Sequence, residues 1–206
     1  MLPSITKRGV IVMKKRIGLD IDGTITDPAT FVPYLNKDFN KQFTLADLSE
    51  YDLTKILRIS DKEFWDWMEI NEPTIYAEAE LAYGAKQALL NWSKEHELIY
   101  ITARRKHLTD VTTSWFANRQ VPYHHIELVG KHDKLEAVKA QKLDVFLEDK
   151  HDNAVMISEE FAIPVLLFDT PYNQMPTPKS VVRVRNWQEA YHWMARWLKS
   201  GEVSSI

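Results

Sequence analysis

Lys15-Arg16-Ile17-Gly18-Leu19-Asp20-Ile21-Asp22-Gly23-Thr24-Ile25-Thr26-Asp27 is the stretch that decides the fold. Its first half is a short apolar run, as a buried strand is, and its second half holds two carboxylates, a glycine and a hydroxyl, as a tight turn does. Asp20 and Asp22 stand two apart, so on a continuing strand their carboxylates project to the same side. Like charges directed into one small space repel, and they call for a cation or a proton between them. The plain alternative is an Asx-turn closing a hairpin, because Asp-Gly is a common turn signal.

Beyond Asp27 the pattern changes. Residues 28–83 carry short helical pieces rich in aromatics, with no strand-like alternation. Thr44 is placed to cap a turn running through Leu48. Ser60 is placed to cap a helix bearing Phe64, Trp65, Trp67 and Met68, with Glu63 at the capping-box position. From Gly84 the rhythm becomes helix, strand, helix, strand. Strands are expected at 98–101 ending on Thr102, at 126–129, at 145–147 running into Glu148-Asp149, at 164–168, and at 181–184 as an edge strand. Asn186 caps a last helix with Trp187, Tyr191, Met194 and Leu198 on one face.

Strands alternating with helices specify an α/β fold with a doubly wound parallel sheet. The core is expected over 14–27 and 84–200, with a small helical insertion over 28–83 after the first strand. Residues 1–13 read as an N-terminal extension, with Met13-Lys14-Lys15-Arg16 resembling a start and residues 1–12 lying upstream of it.

With 206 residues the chain suits one core domain plus an insertion. It is 45% hydrophobic and 27% charged, with net charge −3. That mild acidity argues against a nucleic-acid polymer as partner, which asks for a basic patch. The absence of cysteine excludes disulfides, thiolate zinc sites and a cysteine nucleophile, and it fits a cytoplasmic location. No apolar run approaches membrane-spanning length, so no membrane partner is expected. Neither a Walker loop nor a Gly-x-Ser-x-Gly elbow occurs.

Open parallel sheets bind ligands outside the carboxyl ends of their strands. Asp20/Asp22, Thr102 and Glu148/Asp149 all fall where an apolar run stops, so three strand tips converge on one crevice. Asp20 is the natural nucleophile and metal ligand, able to attack a phosphorus whose charge a divalent ion masks. Asp149 completes an oxygen-rich site suited to Mg²⁺. Asp22 is placed to protonate the leaving oxygen and then to deprotonate water. Thr102 offers its hydroxyl, and Ala103 a backbone N–H, to a phosphate oxygen. Lys134 adds positive charge, with Lys131 as its rival. Plainer readings stand beside these: Thr102 as a helix cap, Glu148-Asp149 as a strand-end turn.

Asp20-Ile21-Asp22-Gly23-Thr24 resembles the first motif of the haloacid dehalogenase (HAD) superfamily. Tyr100-Ile101-Thr102-Ala103-Arg104 is similar to its second motif, Lys134 to its third and Phe146-Leu147-Glu148-Asp149 to its fourth. The resemblance covers most of 14–199 and implies a HAD-like, Rossmannoid core with a helical cap. It also implies an aspartyl-phosphate on Asp20, Asp22 as general acid and base, and phosphate binding by Thr102, Ala103 and Lys134. Mg²⁺ would be held by Asp20, the Asp22 backbone carbonyl and Asp149, with Glu148 behind them.

Residues 164–173 and His132-Asp133-Lys134 resemble the 5′(3′)-deoxyribonucleotidase group, which implies a nucleoside monophosphate as the small-molecule substrate. Thr24, where that group usually has an aliphatic residue, and Arg104 depart from its pattern.

Phe31, Tyr51, Phe64, Trp65 and Tyr76 could stack on a base or simply fill the core of the insertion. A sugar or other small phosphate ester is the alternative substrate. A non-catalytic phospholigand-binding module is the alternative function, disfavoured by the presence of Asp22. His124-His125 reads as a surface pair, Arg183 and Arg185 as a solvated strand face, and Asp152 as a neighbour of the metal ligands.

Overall fold

The structure, a computed structural model, describes residues 4–5 and 11–202, with side chains over 13–200. Strands β1 (Ser4–Ile5) and β2 (Ile11–Val12) pair antiparallel in a two-stranded ladder of their own. The rest of the sequence-level reading of 1–13 as an extension falls largely outside the described residues.

The main sheet contains β3 (Arg16–Leu19), β4 (Glu97–Thr102), β5 (His125–Leu128), β6 (Val145–Glu148), β7 (Val165–Phe168) and β8 (Val181–Val184). All neighbours are parallel, in the order β5-β4-β3-β6-β7-β8. The fold is therefore the doubly wound α/β sheet the sequence implies, with β8 at an edge. Strand β5 begins and ends one residue earlier than its apolar run.

β6 and β7 read Val-Phe-Leu-Glu and Val-Leu-Leu-Phe and are buried at every position. A parallel sheet covered on both faces needs such unbroken runs. The two-residue period sorts their side chains. Ile17, Leu19, Tyr100, Leu147 and Leu166 pack with Trp92, Trp115 and Trp187 of α4 (Ala85–Trp92), α5 (Thr109–Arg119) and α8 (Trp187–Glu202). Ile99, Ile101, Phe146, Val165 and Leu167 pack with Val138 and Ile157 of α6 (Leu135–Gln141) and α7 (His151–Phe161). On the second face Gly18 is required, because a Cβ there would overlap the Phe146 ring and Leu143.

Between β3 and α4 the chain is helical: α1 (Val32–Asp38), α2 (Leu53–Leu57) and α3 (Asp61–Glu78), with a 3-10 turn at Leu45–Asp47. Thr44 and Asp47 form a capping box around that turn, and Ser60 Oγ accepts from Glu63 N at 3.2 Å. Val32, Leu35, Leu48 and Leu57 form a separate buried cluster within this segment. α3 buries Met68, Glu72, Ile75 and Tyr76, which recur at helical spacing, and Met68, Ile75 and Tyr76 pack with Leu108 and Leu128. Where the segment returns to the sheet, Trp115 Nε1 donates to Ala79 O at 2.8 Å and Arg119 Nη2 to Glu78 O at 2.9 Å.

From β3 the chain crosses to β4 and then β5 on one side, and afterwards starts again with β6 on the other. The carboxyl ends of β4, β3 and β6 are thus adjacent at the point where strand order reverses, the place where such sheets bind ligands.

Candidate active site

A cavity of about 680 Å³ opens at those strand ends. Asp20, Asp22, Thr102, Ala103, Lys134, Glu148 and Asp149 all line it. Residues far apart in sequence are brought together by register: Asp20 follows β3 directly and its N–H donates to Leu147 O of β6 at 2.9 Å.

Lys134, at the start of α6, is buried and donates to Asp20 Oδ1 and, at 2.9 Å, to Glu148 Oε2. Burial works to lower its pKa, but the two carboxylates outweigh burial and raise it. Lys131 also lines the cavity but is exposed, so burial separates the two lysines. Burial pushes the Asp20 carboxyl well above the usual carboxylate range. Lys134 opposes this, and Glu148, Asp149 and Asp22 add to it. Burial and the Glu148 charge likewise push Asp149 up to about 7, against the Tyr172 hydrogen bond and Lys134.

Oxygens of Asp20, Glu148 and Asp149 lie within 4.8 Å of one another. Three buried carboxylates thus share one lysine, leaving an excess of negative charge that a divalent cation with oxygen preference would offset. Glu148 has both oxygens occupied, Oε2 by Lys134 and Oε1 by Asn153 Nδ2 at 3.0 Å, so it braces Lys134. Among the described residues no donor reaches the Asp22 carbonyl, which stays available to a cation. This donor set fits Mg²⁺.

Two hydroxyls hold Asp149. Tyr172 donates to its Oδ2 at 2.7 Å and Thr24 lies 3.4 Å from Oδ1. Asn173 Nδ2 binds the Asp149 carbonyl at 2.6 Å, fixing the turn. Gly23 is in the left-handed region at φ 81°, and a Cβ there would strike the Asp149 carboxylate. Thr102 Oγ1 accepts from Arg104 N at 3.2 Å, so it caps its own turn as well as facing the cavity.

Sequence reasoning missed the roles of Tyr172, Thr24 and Asn153, although Pro171-Tyr172-Asn173 and Thr24 stood out as pattern. Arg104 also stood out as a departure from pattern, but not its partner: its guanidinium grips Asp22 at 2.9 and 2.7 Å. On the far side of the cavity, Arg105 Nε donates to buried Glu72 of α3 at 2.9 Å. All five aromatics named from sequence line the cavity, and Tyr76 also covers Arg104.

Other expectations need correction. Asp152 is exposed, pairs with His151 Nδ1 at 3.1 Å and is not one of the three clustered carboxylates. Arg183 is only half solvated: it binds Asp169 at 3.0 Å and Asn173 Oδ1 at 2.6 Å, and its guanidinium also donates to the carbonyls of Asn173 and Met175. Arg185 is exposed, as expected, and pairs with Glu189. His124 and His125 are exposed, with His124 Nδ1 accepting from Leu98 N at 3.0 Å.

A sequence profile of the family described as 5′ nucleotidase, deoxy (pyrimidine), cytosolic type C matches residues 14–198. The chain belongs to this nucleotidase family. A provisionally named nucleotidase of Halalkalibacterium halodurans is 60% identical over 186 residues, covering 90% of this chain and 95% of that protein. A second, from Bacillus subtilis, is 58% identical over 179 residues, covering 87% and 93%. In fold the nucleotidase is similar to a provisionally assigned HAD hydrolase of Bacillus subtilis solved with magnesium bound. The TM-score is 0.60 at 13% identity, covering 88% of this chain and 99% of that one. The protein is thus a phosphoric monoester hydrolase of nucleotidase type with a HAD-like fold, and the binding-module alternative gives way to an enzyme. Among the described residues no helix is long and apolar enough to cross a membrane.

Proposed function

We propose that this nucleotidase hydrolyses a nucleoside monophosphate in a Mg²⁺-dependent reaction through a phosphoaspartate on Asp20. The observation that carries the reading is the meeting of Asp20, Asp22, Thr102, Lys134 and Asp149 on one cavity. Asp20, the Asp22 carbonyl and Asp149 would hold the ion, which when bound supplies masking of phosphate charge.

The Asp20 carboxylate attacks phosphorus and the ester P–O bond breaks, while Asp22 gives its proton to the departing sugar oxygen. Water then attacks phosphorus, Asp22 takes its proton, and the acyl phosphate P–O bond breaks to free phosphate and Asp20. Lys134 holds Asp20 in place and offsets charge on the phosphoryl oxygens, a kind of interaction worth about 10²–10³ in rate. Thr102 and the Ala103 N–H hold the phosphate.

Residues 28–83 act as a helical cap over the core formed by 14–27 and 84–200. They supply Phe31, Tyr51, Phe64 and Trp65 to the cavity. The cavity volume lies within the usual range for small-ligand sites, roughly 300–1,000 Å³. Its aromatic wall offers stacking worth about 1–3 kcal/mol to a base.

The test is steady-state turnover of a phosphate-ester panel, with Mg²⁺ and with EDTA, in the parent and Asp20→Asn. Metal-dependent turnover of nucleoside monophosphates that disappears in Asp20→Asn is expected. Unchanged turnover in the variant ends the mechanism.

A further inference from the structure

We infer that Arg104 is the positioning residue for Asp22, fixing the carboxylate that handles the leaving-group proton. The inference rests on the role of Asp22 given above. Arg104 Nε donates to Asp22 Oδ2 at 2.9 Å and Nη2 to Oδ1 at 2.7 Å. Two parallel bonds from a planar fork set both the position and the plane of a carboxylate, which a lysine, as a point charge, does not.

The guanidinium is itself held from several elements. Nη1 donates to Thr112 Oγ1 of α5 at 3.2 Å, and the guanidinium carbon lies 4.1 Å from the ring centre of Tyr76 on α3. Its own backbone N–H is bonded to Thr102. Among the described residues the Asp22 carboxylate has no hydrogen-bond partner but Arg104, and it sits on the turn that contains Gly23, where φ is 81°.

The distribution of exposure separates this pair from an ordinary structural bridge. The Arg104 side chain is 0% exposed and that of Asp22 is 26% exposed, on the cavity wall. A buried arginine carries a desolvation cost that its carboxylate partner chiefly offsets. Here that partner is the acid and base at the edge of the substrate space. Arg104 therefore acts through Asp22, as the orienting member of a catalytic pair does.

An oriented acid matters in proportion to the basicity of the leaving oxygen. A nucleoside alkoxide needs the proton, whereas p-nitrophenolate departs without it. kcat/KM reports the steps up to loss of the alcohol, so hydrolysis of the phosphoaspartate, common to all esters, does not mask the difference.

Arg104→Lys, which keeps the charge and loses the fork, is compared with the parent on a nucleoside 5′-monophosphate and on p-nitrophenyl phosphate. A loss of about 10²-fold in kcat/KM is expected on the nucleotide, the lower end for general acid catalysis, with much less on the phenyl ester. Thr112→Val, which frees Nη1 at little change in volume, should show the same split at smaller size and carries the test should circular dichroism show Arg104→Lys unfolded. In the Asp22→Asn background, Arg104→Lys should cost nothing further.

Equal losses on both esters, a gain in activity, or an additive loss in the double variant would overturn the inference. Asp22→Asn alone keeps the two readings apart. A split there with none in Arg104→Lys defeats only the positioning role. No split in Asp22→Asn defeats the acid role and this inference with it.

Discussion

Asp149→Asn should make the metal-free protein more stable, although it removes a proposed ligand. Burial and the charge of Glu148 push the Asp149 carboxyl up to about 7, whereas in an unfolded chain a carboxyl titrates near ~3.9. Between those values the folded chain holds the extra proton, so the parent loses stability as pH rises through that window. Above it the full cost applies, about 4 kcal/mol at 1.36 kcal/mol per tenfold. An asparagine removes the charge and keeps an acceptor for Tyr172, now 2.7 Å from Oδ2. With some loss at Thr24, a net gain of about 2–4 kcal/mol is expected.

For a chain of this length that gain corresponds to a Tm higher by roughly 5–15 °C. Thermal melts followed by circular dichroism, in EDTA at pH 8 and pH 5, measure it. At pH 5 the advantage should fall to about 1 kcal/mol or less, because the parent carboxyl is then largely protonated when folded. Saturating Mg²⁺ should narrow the gap at pH 8, since the parent gains about 2.7 kcal/mol at a hundredfold excess over Kd. An Asp149→Asn protein that melts below the parent at pH 8 in EDTA, or whose advantage is the same at both pH values, refutes the reasoning.

Lys134→Met leaves Asp20 and Glu148 facing each other without their cation. It should cost about 3–5 kcal/mol in denaturant melts and lower kcat about 10²–10³-fold. Tyr172→Phe removes the hydroxyl that holds Asp149 Oδ2, and the Mg²⁺ concentration for half-maximal activity should rise about 10–100-fold. Gly18→Ala places a methyl against Phe146 and Leu143, so urea denaturation should show a loss of about 1–3 kcal/mol while residual activity keeps its substrate preference. Trp65→Ala should raise KM for nucleoside monophosphates and spare small phosphates; an equal effect on both would favour the sugar-phosphate alternative.

Much of the scaffold can be read along the chain because its causes are local. Apolar runs that end abruptly mark β3, β4 and β6, and the residues at their ends are the ones that meet at the cavity. Ser60, Thr44 and Asn186 cap the helices and turns expected of them, for each needs only a neighbour three residues away. The Asp20-Ile21-Asp22-Gly23-Thr24 stretch carried both the strand end and the carboxylate pair. That much was settled by sequence alone, since period and turn chemistry act over a few residues.

The choice of partners was decided only by tertiary structure. Arg104 and Asp22 lie 82 positions apart, Tyr172 and Asp149 23 apart, and no local pattern links them. The sequence favoured Lys134 over Lys131 by its place near a helix start, but its burial and its pairing with both Asp20 and Glu148 came from the packed fold. Arg183 and Arg185 share one strand face by period, yet the first binds Asn173 of the Pro171–Asn173 turn and the second pairs with Glu189. Charge pairing in a protein interior depends on which groups the fold removes from water together, and that is a property of the packed chain rather than of any segment of it.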